Sequence, residues 1–246
     1  MNCKIVGQLG PKYSSKWPKV GKSAIITGAS SGLGKELAIL FSQDGHVILS
    51  GRDANKLEAT RLLCKDPHNT TLVCGDLQHI STQDRLVHFA DLFAIRYLIC
   101  CAGQYKRGKL REHTCDGIIS LLNSNLTSTI SLIHAVYPHL LDENSTIVHI
   151  NSTAGKSIQS DELVYSASKH GMRAFLQGLR FEAREKGIRV LDVFPGAIQT
   201  PMNANSDTFS RMMDVKETAK VIYAAVTPPG SSLQLEELHI GRFRQK

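Results

Sequence analysis

The chain has 246 residues, 42% of them hydrophobic and 21% charged, with a formal net charge of +7. That length suits one large domain with a sizeable core. No apolar run approaches about 18–20 residues, so no membrane span is expected. No aromatic-rich basic run or zinc-finger spacing supports nucleic acid, and the excess charge suits a solvated basic surface, a phosphorylated cofactor or an anionic substrate.

Residues 1–35 hold lysines but no acidic residue and no arginine. A transit peptide would carry arginine, so residues 1–20 read as a flexible N-terminal extension and residues 21–246 as one domain. With no secretory signal, a cytoplasmic location is expected, and the sequons at Asn69, Asn125, Asn144 and Asn151 carry no meaning for glycosylation. The cysteines are Cys3, Cys64, Cys74, Cys100, Cys101 and Cys115. None forms a CxxC pair, which sets aside structural zinc and thioredoxin-like chemistry. Cys100 and Cys101 sit in an apolar run, as small core residues would.

Strands are expected at "SAIIT" (23–27), "HVILS" (46–50), "TLVCG" (71–75), "RYLIC" (96–100), "TIVHI" (146–150), "RVLDVF" (189–194) and "EELHI" (236–240). Most are apolar at consecutive positions, which fits strands buried on both faces. Helical patterns lie between them. The first begins near Gly32 and stops at "DGH", with Gly45 as its C-terminal glycine. The second follows Asp53, the expected N-cap of "ANKLEATRLL". Others cover about 81–93, 115–138, 162–186 and 215–226. The alternation predicts an α/β fold: a Rossmann-type, doubly wound parallel sheet with helices on both faces, in a single domain.

The first strand runs into "TGASSGLG" (27–34). Gly28, Gly32 and Gly34 free the backbone to turn sharply and approach a pyrophosphate. The helix that follows offers N–H groups and the positive end of its dipole to the phosphates. The spacing is neither G-x-G-x-x-G nor a P-loop, because Glu36 stands where a P-loop has Ser or Thr. The second strand ends "ILSGRD", with Gly51 where an acidic residue would bind free ribose hydroxyls. Arg52 follows and suits a 2′-phosphate. NADP(H) is therefore favoured, and Asp53 keeps NAD(H) possible. Asp76, in "CGDL", serves either as an acceptor for the adenine amine or as a turn residue.

Tyr165 and Lys169, in "YSASK", stand one helical turn apart on one face. A phenol near pKa 10 is a poor acid or base at neutral pH, and a close ammonium lowers that pKa. The pair can then exchange a proton with an alcohol or carbonyl oxygen. Ser152 closes the strand "IVHINS", and its hydroxyl is able to hold the same oxygen. A lone Tyr-x-x-x-Lys is usually a surface pair. Here the glycine turn, the serine and the Tyr-Lys helix come in the order that a cofactor site requires.

Together these stretches resemble the short-chain dehydrogenase/reductase family. The likeness covers about residues 21–240 and rests on "TGASSGLG", on "NSTAG" with Ser152 thirteen positions before Tyr165, on "YSASK", and on "PGAIQT" (195–200). The resemblance implies a Ser152-Tyr165-Lys169 triad, with Asn125 supporting a water relay to Lys169. Asn123 lies two residues earlier, and "N-L-T" matches the family phrase better at Asn125. It implies that Lys169 also grips the nicotinamide ribose, and that Pro195, Gly196 and Ile198 wall the nicotinamide. Thr200 would bond its carboxamide or a phosphate. Ser30, Ser31 and Leu33 in the glycine turn, Leu77 beside Asp76, and Ala102 with Gly103 would complete the cofactor surface. Where the family often has "NNAG", this chain has "CCAG". The side-chain bonds of the first asparagine are then lost, which bears on local stability rather than on chemistry. The short interval from Thr200 to a helix near Asp214 suggests a small substrate lid.

The implied activity is interconversion of a carbonyl and a secondary alcohol on a small molecule, in a homodimer or homotetramer. Its rivals are a cofactor-binding regulatory or scaffold protein without turnover, and nucleic-acid binding through the +7 charge.

Overall fold

The computed structural model describes residues 23–140, 145–226 and 233–243. The extension expected over residues 1–20, Cys3 and the Asn144 sequon lie outside the described residues. Among those residues, seven strands form one sheet: β1 Ser23–Thr27, β2 Val47–Gly51, β3 Thr70–Cys74, β4 Ile95–Cys100, β5 Thr146–Ile150, β6 Arg189–Pro195 and β7 Glu237–Ile240. Each end lies within one residue of its expected position. Every pairing is parallel, in the order β3-β2-β1-β4-β5-β6-β7. The order reverses direction between β1 and β4, and the carboxyl ends of the strands open a crevice there.

The helices are α1 Gly32–Phe41, α2 Ala54–Arg61, α3 Ile80–Leu92, α4 Cys115–Leu122, α5 Ser128–Val136, α6 Leu163–Glu185 and α7 Val215–Val226. Two boundaries depart from expectation by more than two residues. Gly45 does not cap α1, because the positive-φ glycines among the described residues are Gly28, Gly32, Gly108 and Gly187. The helix ends at Phe41 instead, and the Ser42 hydroxyl donates to Ile39 O at 2.7 Å, satisfying a terminal carbonyl. The single helix expected over 115–138 is α4 and α5 joined by a π-helical segment, Asn123–Thr127, and ended by a 3-10 turn at Tyr137–His139 that contains Pro138. The wider turn carries Asn125 into the interior. Asp53 caps α2 as expected, its carboxylate accepting from Lys56 N at 3.1 Å.

The sheet is covered on both faces. Leu37, Ala38 and Phe41 of α1 and Ala219 and Ile222 of α7 pack on one face, against Ala24, Ile26, Val148, Leu191 and Val193. Leu86 of α3, Leu132 and Val136 of α5, and Met172 and Leu176 of α6 pack on the other, against Ile25, Leu98, Ile147 and Val190. Gly171 of α6 lets that helix lie against Leu126, whose side chain would be 3.1 Å from a Cβ there. This packing sets α6, with Tyr165 and Lys169, beside the crevice.

Candidate functional site

The turn between β1 and α1 is made by glycine geometry. Gly28 has φ +67° and Gly32 φ +56°, a region that strains any residue with a Cβ. A Cβ on Gly28 would also stand 2.9 Å from Ala102 N. The turn rests directly on the segment after β4, and Thr27 fastens the two. Its Oγ1 accepts from Cys101 N and Ala102 N, both at 3.1 Å. Asn125, buried beneath the same segment, accepts from Gln104 N at 2.7 Å and donates to Gln104 O at 2.8 Å and Ser168 Oγ at 3.2 Å. These two side chains fasten the backbone of the segment that carries "CCAG". Of the two asparagines in the π-helical segment, Asn125 is the buried one.

At the end of β2, a Cβ on Gly51 would stand 3.2 Å from Ser30 Oγ and 3.3 Å from Leu57 Cδ2, a tight fit against two side chains. Arg52 is mostly exposed, with Nη1 3.9 Å from Asp76 Oδ2. Asp76 also accepts from Gln78 N at 2.9 Å, which is the turn role. The Asp53 carboxylate faces its own helix; the bond from Lys56 N holds it below the usual carboxylate range.

Ser152, Tyr165 and Lys169 converge from β5 and α6. Ser152 Oγ accepts from Ala154 N at 3.1 Å, leaving its proton free to donate elsewhere. The Tyr165 ring stands edge-on to Tyr105, with centroids 5.0 Å apart. Lys169 Nζ lies 5.8 Å from the centre of the Tyr165 ring and donates to Ile150 O at 2.9 Å. The expectation of a lowered phenol is not met. Burial pushes Tyr165 up to about 12, the neighbouring Ser152 hydroxyl opposes that rise, and the Glu162 carboxylate adds to it. Burial also lowers Lys169 to about 8, and the Asp192 carboxylate partly offsets the effect. In this geometry desolvation outweighs the pairing, because the ammonium is engaged by a carbonyl rather than by the phenol.

All the expected cofactor-side residues border one cleft of about 380 Å³, together with Ser152, Tyr165 and Lys169. Gly28, Ser30, Ser31, Gly32, Leu33 and Gly34 form one end, with Arg52, Asp76 and Leu77 beside them. Ala102, Gly103, Pro195, Gly196, Ile198 and Thr200 line the cleft as well, with Thr200 close beside Gly32. Asn125 is the exception, standing one layer behind Gln104. Gly28, Gly32 and Gly34 bring bare backbone to the cleft at the N-terminus of α1, which fits the phosphates of a dinucleotide. The cleft also takes in residues that sequence reasoning missed. Tyr105 and Glu162 line its mouth, joined by a 2.6 Å hydrogen bond from the phenol to the carboxylate. Their positions are 57 apart in the chain, and no motif links them. Met202 and Asn203, on the 3-10 turn Pro201–Asn203 after Thr200, also line the cleft.

A family profile described as short chain dehydrogenase matches residues 22–211. An uncharacterized oxidoreductase of Staphylococcus aureus (strain MW2) is 28% identical over 225 residues, covering 89% of this chain and 96% of the relative. One from Staphylococcus saprophyticus is 29% identical over 215 residues, covering 85% and 92%. Among solved structures, a short chain dehydrogenase from Burkholderia cenocepacia in complex with NADP superposes with TM-score 0.80 at 27% identity, covering 89% of this chain and 96% of that one. A short-chain dehydrogenase/reductase from Brucella melitensis gives TM-score 0.82 at 24% identity, covering 89% and 94%, and shares the fold.

Proposed function

Because the chain belongs to the short chain dehydrogenase family of oxidoreductases, we propose that it interconverts a carbonyl and a secondary alcohol on a small molecule, with a nicotinamide dinucleotide as redox partner. The observation that carries this reading is the shared cleft: the glycine cradle and Ser152, Tyr165 and Lys169 open into one space. A bound nicotinamide supplies or receives the hydride. The chain's own residues manage the proton and the substrate oxygen. Tyr165 gives a proton to that oxygen in reduction and takes it back in oxidation. The Ser152 hydroxyl donates to the same oxygen and polarises the C=O bond. Lys169 brings a positive charge into the site and a donor for ribose hydroxyls. Asn125 holds the segment after β4 in place and supports a water relay to Lys169.

NADP(H) is the favoured form. Gly51 carries no ribose-binding carboxylate, Arg52 is exposed at the cleft edge, and Asp53 is turned onto α2. A guanidinium there meets a 2′-phosphate with two parallel hydrogen bonds. The Burkholderia cenocepacia relative, solved with NADP, supports the same choice. The test is oxidation of NADPH and of NADH by the purified chain across a panel of aldehydes and ketones. Turnover with NADPH on at least one carbonyl class is expected. Tight cofactor binding with no turnover on any of them would favour the non-catalytic scaffold instead.

A further inference from the structure

An aspartate stands in the middle of a core strand. Asp192 of β6 is fully buried, in a run whose neighbours Leu191, Val193 and Phe194 are all apolar. Such a carboxylate costs several kcal/mol unless it is compensated. Its cross-strand partner is His149, whose Nδ1 lies 3.0 Å from Asp192 Oδ1. Asn151 Nδ2 donates to Asp192 Oδ2 at 2.8 Å and to Lys169 O at 3.3 Å. Asn151 Oδ1 accepts from Ser152 N at 3.0 Å. One asparagine thus ties the aspartate, the backbone of Ser152 and the turn of α6 that carries Lys169.

Beside a carboxylate, Nδ1 of His149 carries the proton. Burial holds that imidazole below its usual range, so it donates a hydrogen bond without a charge. We propose that Asp192 is a positioning residue for the Ser152-Tyr165-Lys169 site, fixing its frame through Asn151 and supplying the buried negative charge that keeps Lys169 an ammonium. The proposal rests on the catalytic reading above and adds to it a residue that touches neither substrate nor cofactor. The titratable groups facing Lys169 are Tyr165 on its own helix, Cys101 after β4, His149 on β5 and Asp192 on β6. Burial pushes the Cys101 thiol and the Tyr165 phenol up and His149 down, so near neutral pH these three are uncharged. Asp192 is then the anion whose field Lys169 feels.

The variant is Asp192→Asn, which keeps the shape and removes the charge. Acetylation of Lys169 by acetic anhydride, followed by peptide mass spectrometry from about pH 4 to about pH 10, reports the free amine without needing turnover. In the variant the midpoint should fall by about one pH unit or more, and the alkaline limb of kcat/KM should fall with it. A merely structural role would lower the whole profile without moving its limb. An unchanged midpoint in the folded variant overturns the proposal, even where kcat drops. Asp192→Ser repeats the test should the first variant fail to fold. If neither folds, Asp192 serves stability rather than the site, and the proposal is overturned. A wild type without turnover would sink the carbonyl reading separately, while the Lys169 titration still judges Asp192.

Discussion

Along β6, Leu191 and Val193 join the core under α1 and α7, while Val190 joins the core under α6 and Asp192 bonds to His149 and Asn151 on that side. The same strands therefore carry two unlike faces. Under α1 the contacts are those of Leu33, Leu37 and Phe41 with apolar strand residues, and Phe41 packs its ring against Tyr97 and Tyr223 with centroids 5.0 and 5.1 Å apart. Under the first turns of α6 lie Asn151, His149 and Asp192, all buried and hydrogen-bonded. The first face is held by area removed from water and has no preferred partner chemistry. The second has an apolar core of its own, and adds to it a cluster held by directional bonds and sensitive to charge. The difference teaches that the charge-sensitive cluster beside the cleft sits on one face of the sheet, while apolar burial supports both.

Substitutions on the two sides should sharpen that division. Ser152→Ala removes a donor at the substrate oxygen and is expected to lower kcat by about a hundred- to a thousandfold, about 3–4 kcal/mol, with cofactor affinity retained. Steady-state kinetics beside calorimetric titration of NADPH checks both halves. Leu37→Ala, on the apolar face, should cost about 3 kcal/mol of stability and leave kcat unaltered well below the melting range. Urea unfolding measures the first, and a large fall in kcat would break the comparison. Thr27→Val keeps the shape but strips the acceptor from Cys101 N and Ala102 N. Two half-buried donors then lose their partner, costing about 2 kcal/mol, and cofactor affinity should weaken as the segment after β4 loosens. Arg52→Ala is the smallest change. It should reduce the preference for NADPH over NADH by about tenfold, about 1.4 kcal/mol, mainly through weaker NADPH binding. Dissociation constants for both cofactors, taken at one salt concentration, decide it; an equal loss for both would remove Arg52 as the phosphate reader.

Much of this was legible in the sequence for identifiable reasons. Strand ends are within a residue of expectation because "SAIIT", "TIVHI" and their like are short apolar runs bounded by polar or glycine residues. The sharp turn after β1 was legible because backbone conformation there demands glycine at Gly28 and Gly32. The break in the helix over 115–138 was not. Its cause is tertiary: Asn125 is drawn inward by Gln104. Gly45 resembled a helix stop, yet the Ser42 hydroxyl had already closed α1. The state of Tyr165 was hidden for a similar reason, since spacing brought Lys169 near but did not reveal that Ile150 O takes its ammonium. Asp192 and His149 did leave a signal, a polar residue inside each of two apolar strands. Pairing them required the β5–β6 register, which places His149 opposite Asp192.

The central claim is that Tyr165 moves the proton in a cleft whose other parts bind the cofactor without it. Tyr165→Phe keeps the ring packed against Tyr105 and removes only the hydroxyl. The measurement is kcat on a good carbonyl substrate, paired with the dissociation constant for NADPH by calorimetry. The account predicts a fall in kcat of about a hundredfold to ten-thousandfold with NADPH affinity within about a factor of three of wild type, a difference below about 1 kcal/mol. A variant that retains near-wild-type kcat would contradict it.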